Sequence, residues 1–169
     1  MKKTIAMISA LAMLSAMAVP FSAFAEDTTT TKLDKTTASG ETEVAYDVQA
    51  AYTVTIPAGV TLSDTAETPA SVAAENVMLE SGQKIIVKLT NASNTDSGTT
   101  FNAKNGSSVA TYTIKSGDNA VGLDAANNTV ATFGTSTTKQ TQALTFSAAS
   151  GATYAGKHTE QLTFTIKVE

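Results

Sequence analysis

The chain has no cysteine, no tryptophan, a single histidine and three prolines in 169 residues. Without cysteine there is no disulfide framework, no thiolate nucleophile or metal ligand, and no thiol redox chemistry. One histidine, His158, is too few for zinc, which takes several His or Cys ligands. As a general base it would need an acid to orient it and a nucleophile to serve, and no motif supplies either. It reads as a solvent-exposed loop residue ahead of the last strand. The missing tryptophan removes the side chain most used in sugar-binding platforms. Phosphate-cradling loops of the forms G-x-x-x-x-G-K-[ST] and G-x-G-x-x-G are absent as well. No apolar run after the first 25 residues approaches membrane-spanning length. The end of the chain shows neither a hydrophobic tail nor an LPxTG-type sorting signal, so covalent wall attachment by that route is not expected.

What is present begins with MKKTIAMISALAMLSAMAVPFSAFAED. Lys2 and Lys3 form a positive start, Ile5 to Val19 an apolar core, and Ala23-Phe24-Ala25 a small-x-small cleavage site after Pro20. This is the layout of a secretory signal peptide over residues 1–25, with a core too short for a membrane anchor. Its removal leaves 144 residues, one domain in size, and shifts the formal charge from −4 to −6 as Lys2 and Lys3 leave. Spread acidity argues against nucleic acid and anionic membranes as partners. Residues 26–41 are polar and threonine-rich, with Leu33 the one large apolar side chain. They read as a flexible lead, and 42–169 as the folded domain.

From Val44 the pattern becomes period two. Val44, Tyr46, Val48, Ala50, Tyr52, Val54 and Ile56 alternate with more polar residues, as in a half-buried strand. At about 3.3 Å per residue these thirteen residues would span roughly 43 Å, well beyond an ordinary strand. The segment must therefore bend, switch sheets, or pair in part outside its own domain. Shorter strands follow over Val72–Leu79, Lys84–Asn91, Thr99–Ala103, Ser108–Lys115, Thr129–Phe133, Gln142–Phe146 and Thr159–Val168. They are punctuated by turns such as Asn105-Gly106, a hairpin signal. In the last strand Leu162, Phe164, Ile166 and Val168 share one face. Ala66–Glu80, rich in Ala and Glu, is compatible with either a strand or a short helix. The expected fold is an all-β, antiparallel, immunoglobulin-like β-sandwich of about eight strands.

Residues with chemical potential are sparse. Asp118, Asn119, Asp124, Asn127 and Asn128 offer oxygen atoms, but their spacing fits no EF-hand, and such residues serve turn geometry. The acids Glu41, Glu43, Asp47, Asp64, Glu67, Glu75 and Glu80 are scattered at strand ends and outward positions. Neither set assigns a metal, a cofactor or a catalytic residue. Among the aromatics, Tyr46, Tyr52, Tyr112 and Phe164 fall on inward faces and read as core. Phe101, Phe133 and Tyr154 remain as candidate exposed, ligand-contacting rings. The last strand contains no Asn or Asp with which to form a Lys–Asn or Lys–Asp isopeptide bond.

Two stretches carry a resemblance. They are Tyr52-Thr-Val-Thr-Ile-Pro-Ala-Gly-Val-Thr-Leu62 and the segment Tyr154 to Glu169, with its pattern Y-x-G-x-x-x-x-x-L-x-F-x-I. Together they resemble small secreted β-sandwich surface proteins of Gram-positive gut bacteria. The closing strand is similar to those of WxL-type wall-binding domains and of spore-coat-U and archaic fimbrial pilins. Phe164 stands where the WxL pattern has Trp. The resemblance implies a surface or appendage protein with an immunoglobulin-like sandwich.

These readings converge on a non-enzymatic structural or adhesive protein, secreted or held at the cell surface. Its expected partners are other surface proteins, the cell wall or a glycan, or further copies of itself. The long first strand, through Val44, Tyr46, Val48, Tyr52, Val54 and Ile56, is the candidate strand-exchange segment of a pilus-like subunit. The alternative is a monomeric glycan- or wall-binding module.

Overall fold

A computed structural model describes residues 44–169. The expected signal peptide, at 1–25, and the lead, at 26–41, lie outside the described residues. Nine strands are found among those described: β1 (Ala51–Thr55), β2 (Thr68–Met78), β3 (Ile85–Ala92), β4 (Thr100–Asn105), β5 (Ser108–Ser116), β6 (Asn119–Val121), β7 (Thr129–Phe133), β8 (Gln140–Phe146) and β9 (Leu162–Val168). All pair antiparallel, and the described residues contain no helix. A six-stranded sheet runs β1-β2-β8-β5-β4 with β6 beside β5, and a three-stranded sheet runs β7-β3-β9. The fold is thus the expected all-β antiparallel sandwich. It shares its two layers with immunoglobulin domains but has its own strand order, with β3 rather than a late strand at the centre of the small sheet.

Side-chain alternation explains the layering. In β3, Ile85, Val87 and Leu89 are wholly buried, while β5 buries Ser108, Ala110, Tyr112, Ile114 and Ser116 on one face. One cluster joins the two sheets, with Phe101, Tyr112, Leu144 and Phe146 from the large sheet meeting Val87, Leu89, Val130 and Phe133 from the small one. Tyr112 lies between Phe101 and Phe146, at ring-centroid distances of 5.5 and 6.2 Å. Stacked aromatic pairs of this kind contribute beyond their buried area.

The ambiguous segment Ala66–Glu80 resolves as β2, which is paired on one side with β1 and on the other with β8. Pro69 is tolerated because β1 reaches only Ala73–Met78, leaving the start of β2 with a partner on one side. Further along β2, Asn76 takes a left-handed φ of 53° where the pairing with β1 slips by one residue. That bulge bends the strand, and Val77 then pairs with Ser136 through backbone bonds of 3.0 and 2.8 Å. One lateral side of the sandwich is stitched in this way. The hairpins β4–β5 and β5–β6 each turn on two residues, Gly106-Ser107 and Gly117-Asp118, whose glycines have φ of 59° and 57°. Glycine with positive φ at the first loop position suits the twist of the flanking strands.

Candidate functional site

The candidate strand-exchange segment divides at Ala50/Ala51. From Ala51 the chain is paired in β1, with Tyr52 and Val54 half-buried against the core. Before it, residues 44–50 belong to no strand, and the expected thirteen-residue strand is not formed within the domain. The physical cause is loss of a partner. Ala51 pairs with Met78, the last residue of β2, and the chain then turns through Glu80–Gln83. Val44 and Tyr46 are each 90 % exposed and Val48 50 %. Tyr46, expected to face inward, instead stands in solvent, as Ile56 does in part at the other end of β1.

Of the three rings expected to be exposed, one is exposed and two are buried. Phe101 and Phe133 are buried, at 0 and 3 % exposure, and are core residues rather than surface rings. Phe101 alternates with buried Ala103 in β4, and Phe133 with Ala131 in β7. Each strand is too short for its sequence to show which face is inner. Tyr154 is 63 % exposed, on the loop before β9.

The other lateral side of the sandwich is closed by a polar seam that sequence reasoning missed. Thr159 pairs with Lys104 of β4 through two backbone bonds of 3.0 Å, and the side chains on either side of it reach into the large sheet. Glu160 accepts four hydrogen bonds. Thr95 Oγ1 (2.8 Å) and Asn94 N (3.3 Å) bond its Oε1, and Tyr112 Oη (2.8 Å) and Asn102 N (3.0 Å) bond its Oε2. An acceptor-only carboxylate matches a ring of donors. Burial, together with the hydrogen bond and charge of Glu160, pushes the Tyr112 phenol well above its ordinary pKa of 10.0.

On the other flank, His158 Nε2 lies 2.8 Å from Ser108 Oγ, and its Nδ1 lies 3.1 Å from the Gly156 carbonyl. A carbonyl can only accept, so Nδ1 donates to Gly156, and in the neutral ring Nε2 accepts from the Ser108 hydroxyl. Ser108 Oγ also accepts from the amides of Thr153 and Tyr154, at 2.9 and 3.1 Å. His158 is therefore a partly buried loop anchor and not the solvent-exposed residue expected. A serine–histidine contact has the outline of an activated nucleophile. Here the serine is fully buried and its oxygen is already saturated by two amides, which leaves no approach for a carbonyl substrate.

Parity was the available signal. His158 and Glu160 are in phase with inward Leu162, Phe164, Ile166 and Val168, and Ser108 with Ala110, Tyr112 and Ile114. Polar residues on an apolar phase call for buried partners.

Among the described residues no group of three or more His, Asp or Glu is placed to hold a metal ion, and no helix is long and apolar enough to cross a membrane. Asp124 and Asn127 close a turn by a 2.9 Å backbone bond, and Asp118 sits in the β5–β6 loop. Comparison with protein-family models, curated proteins and solved structures finds no match to this chain.

Proposed function

We propose that this chain is a secreted or cell-surface structural or adhesive subunit, joined to its neighbours by β-strand addition. The observation that carries the reading is the segment Val44–Ala50. It has apolar side chains at alternate positions, it is exposed and unpaired, and it runs directly into edge strand β1. An alternating segment of this kind gains backbone hydrogen bonds and buries apolar surface only by joining a sheet edge. The polar seam acts in this scheme as a structural closure, and no catalytic role is assigned.

The test is light scattering on the chain from Glu26 across a concentration series, beside a variant lacking residues 26–48. Discrete higher oligomers or filaments are expected for the first and a monomer for the second. Equal assembly of both would refute strand addition by this segment. The glycan- or wall-binding alternative keeps one exposed ring, Tyr154. A monomeric chain retained on polysaccharide, with retention lost in Tyr154→Ala, would favour it instead.

A further inference from the structure

The small sheet sets three strands against the six of the large one, and its edge strand β9 is less covered than its centre. The inward residues of central β3, Ile85, Val87 and Leu89, have no exposure at all. The inward residues of β9, Leu162, Phe164, Ile166 and Val168, are all half-buried, although they face the same core.

The outer edge of β9 has no partner strand among the described residues. Gln161 and Glu169 bond toward the β3 side, through Ser93 and Lys84. In an antiparallel ladder, groups aimed at one neighbour alternate with groups aimed at the other. The even residues of β9 therefore turn their N–H and C=O groups outward, and their apolar side chains toward the incompletely covered core.

We propose that this edge is the acceptor, and that its occupant is Val44–Ala50 of a second copy of this chain. The inference rests on the strand-addition reading above and specifies its other half. Donor and acceptor are each seven residues long, and both carry apolar residues at even positions. An antiparallel register placing Val48 opposite Phe164 and Tyr46 opposite Ile166 turns both apolar rows to the same face, and a slip of one residue would expose one of them. The outer edge of β1 fits less well, because β1 has five residues, carries a register shift and itself continues into the donor.

A chain cannot fill its own acceptor. β1 and β4 are the two ends of the large sheet, separated by four strand spacings or roughly 19 Å, and β9 follows directly from the seam to β4. With donor and acceptor on opposite sides, the contact is head-to-tail and leads to open filaments unless a ring closes.

The natural absence of cysteine allows a clean crosslinking test. Asp47 and Thr165 would face each other across the proposed register with side chains in solvent, at a separation a disulfide can bridge. Asp47→Cys and Thr165→Cys chains, mixed and oxidised, should give a disulfide-linked heterodimer far in excess of either homodimer. Mixing Asp47→Cys with Thr132→Cys, on β7, should not. Self-association without the Asp47–Thr165 crosslink, or with an Asp47–Asp47 crosslink in its place, would overturn the β9 acceptor while leaving strand addition standing. Absence of any self-association, by light scattering of the unmodified chain, would overturn both.

Discussion

Replacing Glu160 by alanine removes the one acceptor shared by four donors across the seam. Asn102 N keeps a second partner in Thr95 Oγ1, at 3.0 Å. Tyr112 Oη and the Thr95 hydroxyl proton lose theirs, in residues only 5 and 4 % exposed. An orphaned buried donor costs about 1–3 kcal/mol. With some repair by water entering the space, the expected loss is about 3–4 kcal/mol, a large share of a typical domain stability of about 5–15 kcal/mol. Urea unfolding followed by far-UV circular dichroism reads this directly. With a slope of about 2 kcal/mol/M, the midpoint should fall by roughly 1.5–2 M with the slope unchanged. Tyr112→Phe should cost about 1.5–3 kcal/mol alone, and markedly less in the Glu160→Ala background, because the two changes remove the same bond. Glu160→Gln should lie between wild type and Glu160→Ala, since its amide nitrogen would be turned toward groups that are themselves donors. A Glu160→Ala loss below about 1 kcal/mol, or strict additivity with Tyr112→Phe, would refute the account of the carboxylate as the closing element.

Three further outcomes are expected. A Cβ on Gly122 would sit 2.5 Å from the Gly98 carbonyl oxygen, so Gly122→Ala should destabilise by about 1–3 kcal/mol. Gly59→Ala, with nothing within 4 Å, should stay within about 0.5 kcal/mol; equal effects in the same urea experiment would refute the close approach. Ser108→Ala removes the acceptor for the Thr153 and Tyr154 amides, and hydrogen exchange at both should accelerate while β3 amides stay protected. The raised Tyr112 pKa means that the folded chain holds this proton more tightly than the unfolded chain. The associated stability is fully present below the ordinary value of 10.0 and is lost as pH rises from there toward the raised folded value. In a phenolate absorbance titration Tyr112→Phe should match wild type until alkaline unfolding begins; a wild-type excess before unfolding would refute the burial argument.

The local grammar of the fold was legible. Thr129–Phe133 coincides with β7, the Asn105-Gly106 signal falls at the β4–β5 hairpin, and the alternation through Leu162–Val168 matches β9. What failed was phase and partnership. Phe101 and Phe133 lie in strands of five or six residues, where either face could be inner until the opposing sheet is known. The character of Ala66–Glu80 was decided by pairing with β1 and β8, which its Ala- and Glu-rich composition does not encode. Strand β6 is three residues long and offers too little alternation to register, although Ser116-Gly117-Asp118-Asn119 has the form of a hairpin turn.

The candidate site divides along the same line. The seam joins Glu160 to Tyr112 and His158 to Ser108 across separations of 48 and 50 residues, so no local spacing could reveal it, and its position on the apolar phase was the one signal, left unread, that the sequence carried. The segment Val44–Ile56 shows the converse. Its alternation is unbroken in sequence, yet the domain supplies a partner only as far back as Ala51, because β2 ends at Met78. A pattern that continues past its intramolecular partner retains the cross-strand potential of the unpaired half. The two lateral sides of the sandwich make that potential specific. On one side Val77 and Ser136 tie the large sheet to the chain just beyond β7; on the other the seam around Thr159 and Lys104 does so ahead of β9, which then runs on with its edge and its inner face incompletely covered. Filling both deficits with one element requires a segment of seven residues, apolar at every second position and unpaired at home. Among the described residues, Val44–Ala50 has those properties.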